Sequence, residues 1–268
     1  MVGQDSLSYL EAIILGLIQA LTEFLPVSSS GHLVIGQQLL GVNPEGGAAF
    51  EVAVHLGTLL SILVVLRAEI VSLLKGFLPS GDRNELWWQE IKFICLSALP
   101  AGLIGVLFKD ALEASFSNLK GVGLALCLTG LILLSTKSRQ GKRQTLTLRD
   151  TLFIGFAQAF AILPGISRSG STISMALWLG IDRDRAAKLS FLMSLPVVAG
   201  AGLLKALDLK DLSLSSQAYL TMGLGAFISF AVGMLALAML LKWIIKPSFA
   251  YFGIYCLFVG SLALFLGL

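Results

Sequence analysis

The stretch Gly16-Leu-Ile-Gln-Ala-Leu-Thr-Glu-Phe-Leu-Pro-Val-Ser-Ser-Ser-Gly-His-Leu-Val-Ile-Gly-Gln-Gln-Leu-Leu-Gly41 decides how this chain folds. An apolar run begins at residue 9 and ends at Pro26. Ser28, Ser29, Ser30 and Gly31 follow, and a second apolar run reaches Leu40. Each piece holds about 12 to 16 residues, which makes a helix of about 18 to 24 Å, short of the roughly 30 Å of a bilayer core. The stretch therefore reads as a helix-loop-helix hairpin that enters the membrane and returns. Loop backbone at that depth is tolerable only where protein buries it or a wet cavity receives it.

A second stretch, 155 to 180, has the same form, with its break at Pro164 in Gly165-Ile166-Ser167-Arg168-Ser169-Gly170. Sliding 16–41 over 155–180 needs no gap, and eight of 26 positions coincide, among them Gln19/Gln158, Ser28/Ser167, Ser30/Ser169 and Gly31/Gly170. Unrelated segments of this composition would share roughly two, so the chain carries an internal repeat.

The remainder fits that frame. Of 268 residues 56% are hydrophobic and 13% charged, and mean hydropathy is +0.87. A soluble domain has about 25% charged residues. The composition excludes a soluble enzyme, a disordered chain and a nucleic-acid binder, and the net charge of +3 is too small to indicate a partner. Six segments are apolar enough to span: about 48–67, 91–108, 119–136, 186–204, 217–241 and 249–267. The expected fold class is thus an all-α integral membrane protein with an inverted-topology repeat, each half one hairpin plus three transmembrane helices. The chain is one polytopic domain: repeat 1 at about 9–136, repeat 2 at about 151–267, joined by the basic loop 137–150. Placing that loop in the cytoplasm puts 14 Lys and Arg inside and 4 outside, with both termini outside. The acids near the N-terminus argue against a cleaved signal peptide. Cys95, Cys127 and Cys256 lie in apolar segments without metal-ligand spacing and read as small hydrophobes.

Ionisable groups inside membrane segments are costly and mark function. Gln19 and Glu23, four residues apart, share a helix face. Ser28, Ser29, Ser30 and His32 offer hydroxyls and an imidazole at a helix start, where unpaired N–H groups attract anions. The second hairpin offers Ser167, Arg168, Ser169, Ser171 and Thr172 in the same register. Arg168 is the one cation placed away from both membrane surfaces, and its planar fork suits phosphate. A carboxylate beside an anionic ligand makes sense if it holds a divalent metal that bridges to phosphate oxygens. The reading is a phosphate site, with the histidine as general base or nucleophile.

Two stretches, Gln19 to Leu33 and Leu163 to Thr172, resemble the signature motifs of the undecaprenyl-diphosphate phosphatase family of the bacitracin-resistance type, and the likeness covers essentially the whole chain. The resemblance implies a bacterial plasma-membrane hydrolase that removes the terminal phosphate of undecaprenyl diphosphate and so recycles the lipid carrier for peptidoglycan. It further implies an active site open to the outer, periplasmic face and dependence on Mg²⁺ or Ca²⁺. By position, the family's (Glu/Gln)-x-x-x-Glu element falls on Gln19 and Glu23, its serine and histidine on Ser29 and His32, and its Ser-Arg pair on Ser167 and Arg168. Its threonine falls on Thr172 and the acid opening its first span on Glu51. The implied catalytic set is His32, Glu23, Ser29 and Arg168. Ser28, Ser30, Ser167, Ser169 and Thr172 join Arg168 in binding substrate, and Glu23, with Gln19 and Glu51, is the candidate metal site. The partners are the polyprenyl diphosphate and membrane lipids; a homodimer is compatible with the sequence.

Three nucleophiles stay open: water activated by His32, Ser29, or His32 itself. His55, one turn beyond Glu51, reads as packing or a helix–helix hydrogen bond, Gln19 and Gln158 as partners across the repeat axis, and Trp87 with Trp88 as an interfacial belt. The competing function is an inverted-repeat transporter or flippase for a phosphorylated substrate, since half-helix N-termini also hold anions there. Convergence of histidine, serine, arginine and glutamate on one phosphate favours the hydrolase.

Overall fold

A computed structural model describes residues 7–42, 48–78, 84–116, 118–139, 141–208, 214–244 and 247–265. Arg83, Lys210, Lys246 and both chain ends, on which part of the charge reading rests, lie outside the described residues. Among those described, the regular structure is helical: α1 (Tyr9–Phe24), α2 (Ser29–Leu40), α3 (Ala48–Val65), α4 (Arg67–Lys75), α5 (Glu85–Leu107), α6 (Lys109–Ser115), α7 (Leu119–Leu134), α8 (Leu148–Phe160), α9 (Arg168–Trp178), α10 (Arg183–Asp208), α11 (Ser216–Trp243) and α12 (Phe252–Phe265).

Both sequence-predicted hairpins form, as α1–α2 and α8–α9. Each second helix is capped by the serine at the equivalent position: the Ser28 hydroxyl accepts from the Gly31 N–H at 3.3 Å and the Ser167 hydroxyl from the Gly170 N–H at 3.0 Å. The turns differ in who carries the strained backbone. Gly165 takes φ +94° in the second hairpin; the first has Pro26 at that position, and Ser28 adopts φ +69° instead.

The six expected spans all appear as helices, though unequal ones. Trp87–Leu107, Arg183–Leu204 and Ser216–Trp243 are long and apolar enough to cross a membrane. The first expected span, α3, ends at a 74° bend into α4, which lies beyond the expected span. Leu119–Leu134 and Phe249–Phe265 are shorter, and α7 and α12 pack against each other. Glycines permit that contact: a Cβ on Gly130 would lie 2.7 Å from the Gly253 carbonyl, and one on Gly260 2.6 Å from that of Gly123.

Each hairpin packs against spans from the other half, α1 on α11 and α8 on α5. The hairpin tips meet, so that a Cβ on Gly31 would come within 3.0 Å of Gly165. Helix α7 pins the second tip, where the Thr129 hydroxyl donates to the Gly165 carbonyl at 2.9 Å and accepts from the Ser167 N–H at 3.1 Å. At the far end of that hairpin the basic connection forms a clasp. Arg143 binds Asp150 through both oxygens at 2.6 and 2.8 Å and reaches the Leu179 carbonyl at 2.8 Å. Bridges Gly141–Asp182 and Arg143–Ile181 complete it, so 141–143 tie the start of α8 to the end of α9.

Three expectations change. Trp87 is 7% exposed and donates its indole N–H to the Leu73 carbonyl, so only Trp88 has the exposure of a belt residue. Cys95 is exposed, whereas Cys256 is buried. Gln19 and Gln158 do not pair: Gln19 donates to Thr58 on α3 and Gln158 to the Ser97 carbonyl on α5.

Candidate active site

The meeting tips bring together residues 145 apart in sequence. Glu23, in the last turn of α1, is the hub, with its side chain 8% exposed. Its Oε1 accepts from Arg168 Nη2 at 2.5 Å, and its Oε2 accepts from the Ser29 hydroxyl at 2.5 Å and from Gln19 Nε2 at 3.1 Å. Ser29 and Arg168 occupy the first positions of α2 and α9, so each tip presents its reactive side chain together with its unpaired first-turn N–H groups. A buried carboxylate is stable only with such partners. Arg168 also donates to the Ser190 carbonyl at 3.3 Å. Two of its five N–H donors are thereby engaged, leaving others for a ligand.

The remaining predicted residues divide by what they touch. Ser28, Ser30 and Ser167 line the same cavity as Glu23, Ser29 and Arg168. Ser169 donates to the Leu25 carbonyl at 3.3 Å, across the junction of the tips. Thr172 is buried against Ser190 of α10, hydroxyl to hydroxyl at 2.6 Å, so it sets the residue whose carbonyl receives Arg168. Glu51 lies on the cavity wall and accepts from Gln37 at 3.1 Å. His32 is turned toward Tyr255 of α12, with Nε2 2.9 Å from the phenol and the rings stacked at 5.6 Å.

One residue read from the sequence as packing or a helix–helix hydrogen bond belongs to the cluster instead. His55 on α3 lines the cavity, and its Nε2 lies 3.5 Å from Glu23 Oε2. It was visible as an ionisable group in a membrane segment; the rotation of α3 about its axis relative to α1 was not.

The cavity has a volume of about 480 Å³. Its far walls are α5 and α10 between Ala98 and Val106 and between Pro196 and Leu204, nearly all small or apolar residues. One end is therefore built for an anion and the rest for an apolar group. Glu23 accepts three hydrogen bonds, from Arg168, Ser29 and Gln19, which leaves lone-pair capacity on its oxygens, and Glu51 lines the same cavity. Among the described residues no three His, Cys, Asp or Glu side chains converge as a metal cage.

The family profile described as bacitracin resistance protein BacA matches residues 12–262. This chain belongs to the BacA family. Among curated relatives, the undecaprenyl-diphosphatase of Bacteroides thetaiotaomicron is 41% identical over 95% of this chain and 97% of its own. That of Methanosphaera stadtmanae is 37% identical over 97% and 98%, and that of Hahella chejuensis 38% over 95% and 97%. As in the sequence reading, this BacA family member is a multi-pass helical membrane protein. Both motifs that carried the resemblance sit at the tips where Glu23 and Arg168 meet.

Proposed function

We propose that this chain hydrolyses undecaprenyl diphosphate to undecaprenyl phosphate and inorganic phosphate, recycling the lipid carrier and conferring bacitracin resistance. The observation that carries the proposal is the contact of one carboxylate with both a helix-start serine and a helix-start arginine at the head of an apolar-walled cavity. The relatives' shared name, undecaprenyl-diphosphatase, agrees with it.

Arg168 and the first N–H groups of α2 and α9 bind the diphosphate oxygens and stabilise the charge that grows during transfer. Ser29 is the nucleophile. Glu23 takes its proton, the Ser29 oxygen attacks the terminal phosphorus, and the bond to the bridging oxygen breaks, releasing undecaprenyl phosphate. Water then attacks the phosphoserine, inorganic phosphate departs, and Glu23 returns the proton to Ser29. Ser28, Ser30, Ser167, Ser169 and Thr172 hold the two tips in register. His32 braces the first turn through the Ser28 carbonyl at 2.8 Å. Glu23, with Gln19 and Glu51, would hold a Mg²⁺ or Ca²⁺ ion, which would offset the charge of the diphosphate.

In the finer architecture, the two halves form an inverted repeat in a bacterial plasma membrane, with the cavity toward the outer face and both termini outside. The exchange of partners between halves, α1 on α11 and α8 on α5, supports this reading. The test is phosphate release from undecaprenyl diphosphate by purified wild type, Ser29→Ala and Arg168→Ala, with Mg²⁺, Ca²⁺ or chelator. Metal-stimulated release in wild type, lost in both variants, is expected. No release from folded wild type would move the reading to a transporter of phosphorylated lipid.

A further inference from the structure

Glu23, Ser29 and Arg168 meet because two hairpin tips meet, so whatever holds the tips also sets the spacing of these side chains. Two helices outside the cavity do this. Gly165 sits directly on α7, where a Cβ would lie 2.5 Å from the Val122 carbonyl and 2.7 Å from the Ala125 side chain. Thr129 of the same helix is 1% exposed and uses one hydroxyl twice, for the Gly165 carbonyl and the Ser167 N–H. A buried turn needs both a donor and an acceptor there, and a hydroxyl supplies the two from one atom. The first tip has a counterpart. Pro26 stands where Gly165 does in the aligned hairpins, and its carbonyl accepts from the buried Cys256 thiol of α12 at 3.8 Å. Tyr255, the neighbour of Cys256, adds its contact with His32 on the same hairpin. The two supports are themselves joined, because α7 and α12 touch backbone to backbone at Gly123 with Gly260 and at Gly130 with Gly253. Among the described residues, none that lines the cavity belongs to either helix.

We propose that α7 and α12 form a yoke that sets the distance between the two tips, with Thr129 and Cys256 as positioning residues for Arg168 and Ser29. The inference rests on the hydrolase reading. Neither residue touches the diphosphate; each acts through the turn it holds. Thr129 fixes the peptide N–H of Ser167, the residue that caps α9 and immediately precedes Arg168. A guanidinium shifted by about 1 Å still attracts the bound diphosphate but no longer meets the transferring phosphoryl group, and misplacement of that size costs about 10²-fold in rate. The loss therefore falls on kcat and leaves KM near its original value. Cys256 carries less, since a thiol is a weak donor and Tyr255 shares the first tip.

The experiment compares purified wild type, Thr129→Val and Thr129→Ser for phosphate release from undecaprenyl diphosphate, with melting temperature beside it. Valine keeps the shape and loses the hydroxyl, whereas serine keeps the hydroxyl and loses the methyl group. In Thr129→Val kcat should fall by about 10–10²-fold at nearly constant KM, and Thr129→Ser should stay within about threefold of wild type in both. Wild-type kcat in Thr129→Val would overturn the proposal. So would a loss in Thr129→Ser equal to or larger than that in Thr129→Val, because it would mark Thr129 as packing alone. Thr129→Val leaves a buried N–H and a buried carbonyl unpaired. If it fails to fold, the other pin decides: Cys256→Ala should lower kcat by about 3–10-fold at constant KM, with recovery in Cys256→Ser. Wild-type kcat in Cys256→Ala would then overturn the yoke. A folded wild type that releases no phosphate would overturn the hydrolase reading and the proposal with it, whereas the other outcomes leave that reading intact.

Discussion

At Arg168, charge and geometry can be varied separately. Arg168→Lys keeps the cation but loses the planar fork that spans Glu23, the Ser190 carbonyl and a phosphate. It should lower kcat/KM by about 10²–10³-fold, as loss of an oxyanion-stabilising donor does, while expression and detergent stability stay near wild type. Glu23→Gln should be worse on both counts, because it removes the base and leaves a largely buried guanidinium without its counter-charge. A thermal shift beside a phosphate assay distinguishes the two variants. Tyr255→Phe strips His32 Nε2 of its donor and should cost about 1 kcal/mol of stability. Its effect on turnover should be modest, since the phenol braces the turn from outside the cavity lining. The motifs made Glu23, Ser29 and Arg168 legible in the sequence, because residue type and position along each hairpin sufficed. Which histidine faces the carboxylate was not legible: that depends on the rotation of α2 and α3, which apolar periodicity constrains poorly when a helix is hydrophobic all round.

Among the helices, the paired short spans and the clasp carry separate expectations. Gly130→Leu pushes a side chain into the Gly253 carbonyl and should separate α7 from α12. Overpacking of this kind costs about 1–3 kcal/mol, and because α7 also holds the second tip through Thr129, activity should fall with the melting temperature. The clasp responds to acid. Burial pushes the Asp150 carboxyl up, but Arg143 and Thr147 more than offset this and hold it below the ordinary carboxylate value. A lowered value contributes stability that is complete above about pH 4 and is lost as pH falls through the folded-state value. Asp150→Asn should abolish that part of the acid-induced loss, read as melting temperature against pH. The repeat made both hairpins visible from 26 aligned positions. The 74° bend after α3 was not, because no proline or glycine marks it; the chain turns at Leu66, a buried core residue.

Across the whole molecule, the hydrolytic centre belongs to neither half. Glu23 and Ser29 come from one hairpin and Arg168 from the other, and His32 leans on a residue 223 positions away in the last helix. Its dimensions also follow from both halves, since α5 and α10 wall the cavity together. Order of synthesis follows from this. While the ribosome has made only the first hairpin and its spans, Glu23 has no arginine and His32 no phenol. The nascent chain is chemically silent at least until α9 brings Arg168 to Glu23. A product truncated before Arg168 would carry a complete first motif and yet cleave nothing, so the first hairpin never acts on lipid before its twin is made.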